Sequence, residues 1–448
     1  MTVKNTGTRP GKEVVLLWIN APKGKLDRPQ RILAAFEKTK ELSPGESQTI
    51  TLRFDDKCMA SYDEAQDAFI LEAGEYRASA NNTFAGSISI EKDIIVEKCM
   101  PFCKISRELR DRILNNLPEE PAPQAGSFSD VLSGKISPEG FAAGLDNSEL
   151  EALSRGHGMM GSPFGTPGNA GAFGGITDDL QKKGVPAIIT SDGPAGLRLQ
   201  KYCALLPCGT ALACSFDTEL VETVYRKVGE EMGHYGIDVL LAPGMNIHRD
   251  PLCGRNFEYF SEDPLLSGKM AAAVIKGVQS TGKAACPKHF ACNNQETKRN
   301  TNDSRVSERA LREIYLRNFE IAVREAKPLC IMTSYNKING IWSHYNYDLV
   351  TTVLRRQWGF DGCVVTDWWM QRAESPEFPA LRDNAYRVRA QVDVLMPGDM
   401  GHMAKKYRSD GTLLKTLGMQ DGITRGELVR TAANVIRLAV KLQNNDSK

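Results

Sequence analysis

Short runs of alternating apolar and polar residues fill the first 97 positions, at 13–19, 48–54, 74–80 and 87–96, with turn signals such as Ser43-Pro44-Gly45-Glu46 and Ala73-Gly74 between them. A period of two buries one face of each run, so these segments predict strands of a small all-β sandwich. Its first strand, Thr2-Val3-Lys4, runs straight into the turn Asn5-Thr6-Gly7 and reads as truncated, one edge neighbour short. Residues 98–139 are rich in Pro, Ser and Gly around Leu117-Pro118-Glu119-Glu120-Pro121, which predicts a linker with one short helix ahead of it. From 140 to 448 the rhythm changes. Apolar runs at 185–190, 239–242, 284–286, 329–333, 363–366 and 392–396 alternate with helical patterns such as 218–235 and 308–326. Strand and helix in alternation over some 300 residues predict an α/β domain with a parallel sheet. The Glu- and Arg-rich stretch 305–326 reads as a solvated helix face.

Each apolar run ends in polar or glycine residues: Ser191-Asp192-Gly193-Pro194, Pro243-Gly244, Lys288-His289, Ser334-Tyr335-Asn336, Asp367-Trp368 and Pro397-Gly398-Asp399. Chemistry gathered at the C-terminal ends of successive strands is what a (β/α)8 barrel of the TIM type presents at its catalytic face. Six strands are clear, so two are weak or the barrel is irregular. A doubly wound sheet is the rival, but no GxGxxG opens a helix here.

The charge balance of 56 basic and 55 acidic residues, net +1, gives no reason to expect nucleic acid or an anionic membrane as partner. No run approaches the roughly 20 apolar residues that span a bilayer, and Met1 to Arg9 lack a signal-peptide core. Eleven scattered cysteines, an odd number, predict reduced thiols and a cytoplasmic protein. Cys99 and Cys103 are the one close pair with a ligand-like spacing; no second pair or histidine cluster completes a metal site, so neither metal nor cofactor is expected.

The strand ends combine carboxylates (Asp192, Asp367), cations (Arg255, Lys288, Arg299), an imidazole (His289), a phenol (Tyr335) and the indoles Trp368 and Trp369. That mixture suits a neutral polyol: charged groups read sugar hydroxyls in pairs, and the apolar face of a pyranose packs on an aromatic ring. Asp367 follows a buried strand and precedes two tryptophans, the setting of a nucleophile or general base. A helix N-cap is the plainer reading of a lone Asp. Five other polar strand ends in its company shift the balance.

Five segments resemble glycoside hydrolase family 3 of the β-glucosidase type: Ser191-Asp192-Gly193-Pro194-Ala195-Gly196-Leu197-Arg198; Gly254-Arg255-Asn256-Phe257-Glu258 with Ser261-Glu262-Asp263-Pro264; Lys288-His289-Phe290 with Asn293-Asn294-Gln295-Glu296; Met332-Thr333-Ser334-Tyr335-Asn336; and Gly359-Phe360-Asp361-Gly362 leading to Val365-Thr366-Asp367-Trp368. They occur in the family's order across residues 140–448. The β-rich start is similar to the family's fibronectin type III-like domain, through Asn5-Thr6-Gly7, Leu42-Ser43-Pro44-Gly45-Glu46 and Ala73-Gly74-Glu75-Tyr76. That domain follows the barrel in most members; here it comes first, as in the permuted subgroup that opens with an α/β sandwich domain.

The resemblance implies a retaining glycosidase acting on a small carbohydrate substrate. It makes Asp367 the nucleophile and Tyr335 the residue that orients it. Asp192, Arg255, Lys288, His289 and Arg299 hold the hydroxyls of the terminal sugar, and Trp368 walls the site near the leaving group. It also implies an acid/base glutamate on the α/β sandwich domain, which is not in this sequence. The Asp-His pair that some relatives use instead is missing, because 290–305 contain no histidine. Glu258, Glu262, Glu296 and Glu308 occupy structural motif positions. The chain therefore reads as an incomplete catalytic unit: part of a longer enzyme, a subunit completed by a separate sandwich chain, or a truncated product. The alternatives are a carbohydrate-binding or scaffold protein that has lost catalysis, and xylosidase or arabinosidase specificity.

Overall fold

The computed structural model describes residues 1–102, 107–158, 160–370, 377–399 and 412–445. Nine strands form the N-terminal unit: β1 Thr2–Lys4, β2 Val14–Asn20, β3 Ile32–Lys38, β4 Ser47–Thr49, β5 Ser61–Asp63, β6 Ala68–Leu71, β7 Gly74–Ala80, β8 Thr83–Ile90 and β9 Ile94–Lys98. A four-stranded antiparallel sheet of order β3-β2-β7-β8 faces a three-stranded sheet β5-β6-β9, and β1 pairs with β4. Leu17, Ile19, Phe69, Leu71 and Tyr76 meet between the two larger sheets. The alternation in 13–19 and 74–80 appears as β2 and β7, whereas 87–96 breaks at 91–93 into the end of β8 and β9. Of the predicted run 48–54, Gln48 and Thr49 fall in β4 and Ile50 extends the pairing by exchanging hydrogen bonds with Met1 (both 2.8 Å).

Eight strands make a nearly closed mixed barrel: β10 Arg155–His157, β11 Gly171–Gly174, β12 Ala187–Asp192, β13 Val239–Leu241, β14 Ala284–Ala285, β15 Cys330–Met332, β16 Cys363–Trp368 and β17 Val394–Asp399. Their order is β14-β13-β12-β11-β10-β17-β16-β15. All six predicted strands are present. The irregularity expected from the count lies in β10 and β11, where β11 runs antiparallel to both neighbours. The remaining seam is closed past the ends of β14 and β15: Phe290 N–H donates to Met332 O (2.8 Å) and Ser334 N–H to Phe290 O (2.9 Å). Helices Thr218–Tyr235 and Pro264–Gln279 pack outside, the first N-capped by Asp217 and ended by Gly236 in the left-handed region.

Residues 98–139 carry the helices Arg107–Leu114 and Phe128–Leu132. Leu109, Ile113, Phe128 and Val131 are buried in the same core as the barrel strands, so this Pro-rich stretch is strapped to the barrel. The 305–326 segment corrects the expectation of a solvated face. Arg312 and Glu320 are buried because this side of the helix receives the β-sandwich, and Asn318 is buried on the barrel side, where it donates to Met245 O. Lys57 of the sandwich reaches Glu320 (2.7 Å), Tyr62 O–H donates to Glu308 (3.1 Å), and Arg312 donates to Met100 O (2.6 Å). Charges at helical spacing match a polar partner as readily as water.

The ten described cysteines are unpaired; Cys103 lies outside the described residues. Among the described residues no cluster of His, Cys, Asp and Glu has the geometry to hold a metal ion, and no helix is long and apolar enough to cross a membrane.

Candidate active site

At the C-terminal end of the barrel lies a cavity of about 290 Å³, and Asp192, Arg255, Lys288, His289, Arg299, Tyr335, Asp367 and Trp368 all line it. Eight residues spread over 177 positions converge because barrel closure brings consecutive strand ends to one rim. Asp192 ends β12. Just beyond it Gly193, at φ +133°, makes a turn in which a Cβ would come within 1.6 Å of Gly196 O. That turn returns the chain so that Arg198 N–H donates to Asp192 O (2.9 Å) and the Arg198 guanidinium lies 3.3 Å from the Asp192 carboxylate.

Lys288 donates to the other oxygen of Asp192 (2.7 Å). Burial pushes Asp192 upward, but the Lys288 ammonium and the Arg198 and Arg255 guanidinia outweigh it and bring the carboxyl down to about 2. Asp192 therefore stays ionised and has no proton to give. His289 is enclosed: Tyr259 O–H lies 3.2 Å from its Nδ1, and Asn246 brackets its backbone, accepting from its N–H and donating to its C=O, both at 2.9 Å. Burial, with the cations Arg255, Lys288 and Arg299 nearby, holds the imidazole well below its ordinary range, hence neutral.

Asp367 sits near the end of β16. Its Oδ1 accepts from Trp368 N–H (2.7 Å), while Oδ2 is buried without a hydrogen-bond partner among the described residues and lies 3.6 Å from His289 Nε2. Burial raises this carboxyl and Arg255, the Trp368 N–H, Lys288 and Arg299 restrain the rise. The Tyr335 phenol is raised by burial and then by the Asp367 charge, so it keeps its proton beside the carboxylate. Arg299 stacks on the Tyr335 ring at 4.5 Å and is held by Glu296 (2.8 Å). The Trp368 indole N–H donates to Ala170 O (3.0 Å), which fixes the ring as a wall.

The other glutamates are engaged elsewhere: Glu258 with Arg255, Glu296 with Arg299, and Glu308 with Arg312. Glu262 lines a separate cleft between barrel and sandwich. Among the described lining residues, Asp192 and Asp367 are the carboxylates of the cavity.

The profile described as Glycosyl hydrolase family 3 N terminal domain matches residues 173–417, more than half of the sequence. The chain belongs to glycosyl hydrolase family 3. Residues 13–83 match the Fibronectin type III-like domain, which here precedes the family 3 barrel. A β-glucosidase of Ruminococcus albus is 42% identical over 472 aligned residues, covering 97% of this chain and 49% of that protein. β-Glucosidase A of Butyrivibrio fibrisolvens is 39% identical, over 82% of this chain and 51% of its own length. The structure of a β-glucosidase from Paenibacillus barengoltzii superposes with TM-score 0.89 at 39% identity, covering 98% of this chain and 53% of that one. The glucose complex of β-glucosidase 3B from Thermotoga neapolitana gives TM-score 0.59 at 38% identity, over 71% of this chain and 43% of its own. The chain thus spans about half the length of these family 3 relatives.

The rest of this family 3 cavity is lined by Met160, Ala170, Arg198, Leu241, Met332 and Trp369, none of which was given a role of its own from the sequence. Arg198 closes the first segment that carried the resemblance and Trp369 directly follows the last, and their spacing to Asp192 and Trp368 was the available signal. Met160 comes from a loop after β10, a strand with no apolar run to announce it.

Proposed function

We propose that this family 3 chain is the nucleophile-bearing part of a retaining β-glucosidase that releases terminal β-D-glucose from β-glucosides or short oligosaccharides. The observation that carries the reading is Asp367: a carboxylate on a rigid strand, one oxygen tied to a backbone N–H and the other unpartnered beside sugar-reading side chains. Asp367 Oδ2 attacks C1 of the glucoside, the C1–O bond to the leaving group breaks, and a general acid protonates the departing oxygen. Water then attacks C1 of the glucosyl ester, giving its proton to the same group, and Asp367 leaves as carboxylate. Asp192, Arg255, Lys288, His289 and Arg299 hold the hydroxyls, contacts that position C1 and tighten as the ring flattens. Tyr335 orients Asp367, and Trp368 borders the leaving group.

The acid belongs to a complementing α/β sandwich domain or chain. Supporting this, Asp192 is locked as an anion, and the loops beside the cavity expose Tyr202, Leu205, Leu252 and Phe257 to solvent at 57–100%. Exposed apolar side chains on the loops that carry the lining residues Arg198 and Arg255 mark a surface that another polypeptide covers. A cytoplasmic setting is the compartment in which ten free thiols persist.

Incubating the chain with dinitrophenyl 2-deoxy-2-fluoro-β-glucoside and mapping the labelled peptide tests the nucleophile. A label on Asp367 is expected, since so good a leaving group needs little protonation; a label on another side chain refutes the assignment. The missing acid predicts a leaving-group split: slow cleavage of dinitrophenyl β-glucoside by this chain alone and cellobiose hydrolysis lower by on the order of 10²–10⁴ than with the complementing domain added. Glucose binding without cleavage of any substrate would instead identify a carbohydrate-binding protein.

A further inference from the structure

Tyr259 is fully buried on the far side of His289 from the cavity and is not among the residues lining it. Its hydroxyl is the middle of a chain of polar contacts. Asn293 Nδ2 donates both to Glu296 Oε1 (3.0 Å) and to Tyr259 Oη (3.2 Å), and Glu296 holds Arg299. The direction of every proton in this chain follows from its end. A glutamate carboxylate only accepts, so the atom of Asn293 that faces it is the amide nitrogen, and that nitrogen also donates to Tyr259. The Tyr259 hydroxyl accepts from Asn293, and among the described residues the acceptor within reach of its own proton is His289 Nδ1 at 3.2 Å. An imidazole that accepts at Nδ1 and is neutral carries its proton on Nε2.

We propose that Tyr259 is a positioning residue that fixes His289 as the Nε2–H tautomer and so aims a hydrogen-bond donor at the unpaired oxygen of Asp367. The donor's use for a sugar hydroxyl rests on the glucosidase reading; the tautomer itself does not. The competing arrangement puts the proton on Nδ1 and donates it to Asn246 Oδ1 at 3.4 Å. That oxygen already accepts the His289 backbone N–H at 2.9 Å, and the arrangement would aim a bare Nε2 lone pair at Asp367 Oδ2, 3.6 Å away. Two acceptors facing each other in a buried site is the costlier choice. The network thus joins Tyr259, Asn293 and Glu296 into one frame that sets the donor direction of His289 and the place of Arg299 together.

Two-bond proton–nitrogen correlation spectra of the unliganded chain with ¹⁵N-labelled histidine read the tautomer directly. The chain has six histidines, and His289→Gln identifies the signals by their loss. The expected result is a protonated Nε2 and an unprotonated Nδ1 in the wild-type chain, with that signature lost or mixed in Tyr259→Phe. A wild-type Nδ1–H tautomer overturns the proposal even if the variant does not fold, and an Nε2–H signature retained in Tyr259→Phe overturns it as well. Because the spectra need no sugar, a chain that binds no glucoside would refute the glucosidase reading and leave this result to stand. Where glucose binds, Tyr259→Phe should weaken it about tenfold, the worth of one misdirected hydrogen bond.

Discussion

Asp367→Ala is expected to lower turnover of an aryl β-glucoside by the completed enzyme on the order of 10⁴-fold or more, while leaving the melting temperature unchanged or higher. The two halves of that expectation have one cause. Folding takes this carboxylate out of water and leaves Oδ2 without a hydrogen bond, so its burial raises its ionisation point despite three neighbouring cations. A carboxyl raised in the folded state is stabilising in its protonated form, below the ordinary range near pH 4, and that contribution is lost as pH rises through the raised value. At neutral pH the anion therefore works against the fold, and its removal relieves the cost. A helix-capping aspartate would behave in the opposite way: its loss would cost about 1 kcal/mol of stability and spare catalysis. Azide supplies a further discriminator. In Asp367→Ala it should enter the vacated space, attack C1 from the same face and restore cleavage of an activated aryl glucoside as the α-glucosyl azide. Unaltered turnover in the alanine variant would remove Asp367 from the chemistry.

The sequence made the parallel strands legible for a physical reason. Strands buried on both faces are near-continuous apolar runs, and 329–333, 363–366 and 392–396 stand out against their polar ends as β15, β16 and β17. β10 and β11 have no such run: they read Arg-Gly-His and Gly-Ala-Phe-Gly. Their glycines answer to neighbours, not to propensity. A Cβ on Gly156 would come within 2.2 Å of Met396 Sδ, and one on Gly171 within 2.7 Å of Gly158 O. β3, Ile-Leu-Ala-Ala-Phe-Glu-Lys, has the composition of a helix, and its pairing with β2 decides otherwise. Asp192, Arg255, Lys288, His289, Tyr335, Asp367 and Trp368 were readable because each ends a strand or sits in a recognisable segment, whereas Met160 has neither mark. Tyr259 and Asn246 were not, since their importance lies in the ring they hold, and only the three-dimensional packing brings them to it.

The same limit hid the role of Glu320, whose replacement by Gln is expected to cost about 3–5 kcal/mol of stability at pH 7. This residue is 2% exposed and accepts from Lys57 of the sandwich (2.7 Å), Arg317 (3.0 Å) and Arg324 (2.9 Å). Neutralising it leaves buried cations facing one another across the junction of the two units. Burial alone would raise Glu320, but Lys57 and Arg317 overcome that and set its carboxyl at about 2. Its ordinary value is ~4.3, so its stabilisation is present above that pH and is lost as pH falls toward 2. Urea titrations of wild type and Glu320→Gln should therefore differ most at neutral pH and converge on acidification; equal stability at pH 7 would show that the junction does not depend on this charge. A double replacement, Lys57→Met with Glu320→Leu, should recover part of the loss, because Lys57 goes with its partner while Arg317 keeps Asp55 (3.4 Å) and Arg324 keeps Glu97 (3.2 Å). The helix that carries Glu320 also presents Asn318 to the carbonyl of Met245, and Met245 adjoins Asn246, which brackets His289. Docking of the β-sandwich and the seating of a cavity residue are thus joined through one helix, and partial undocking in Glu320→Gln should loosen the His289 loop before the barrel core opens.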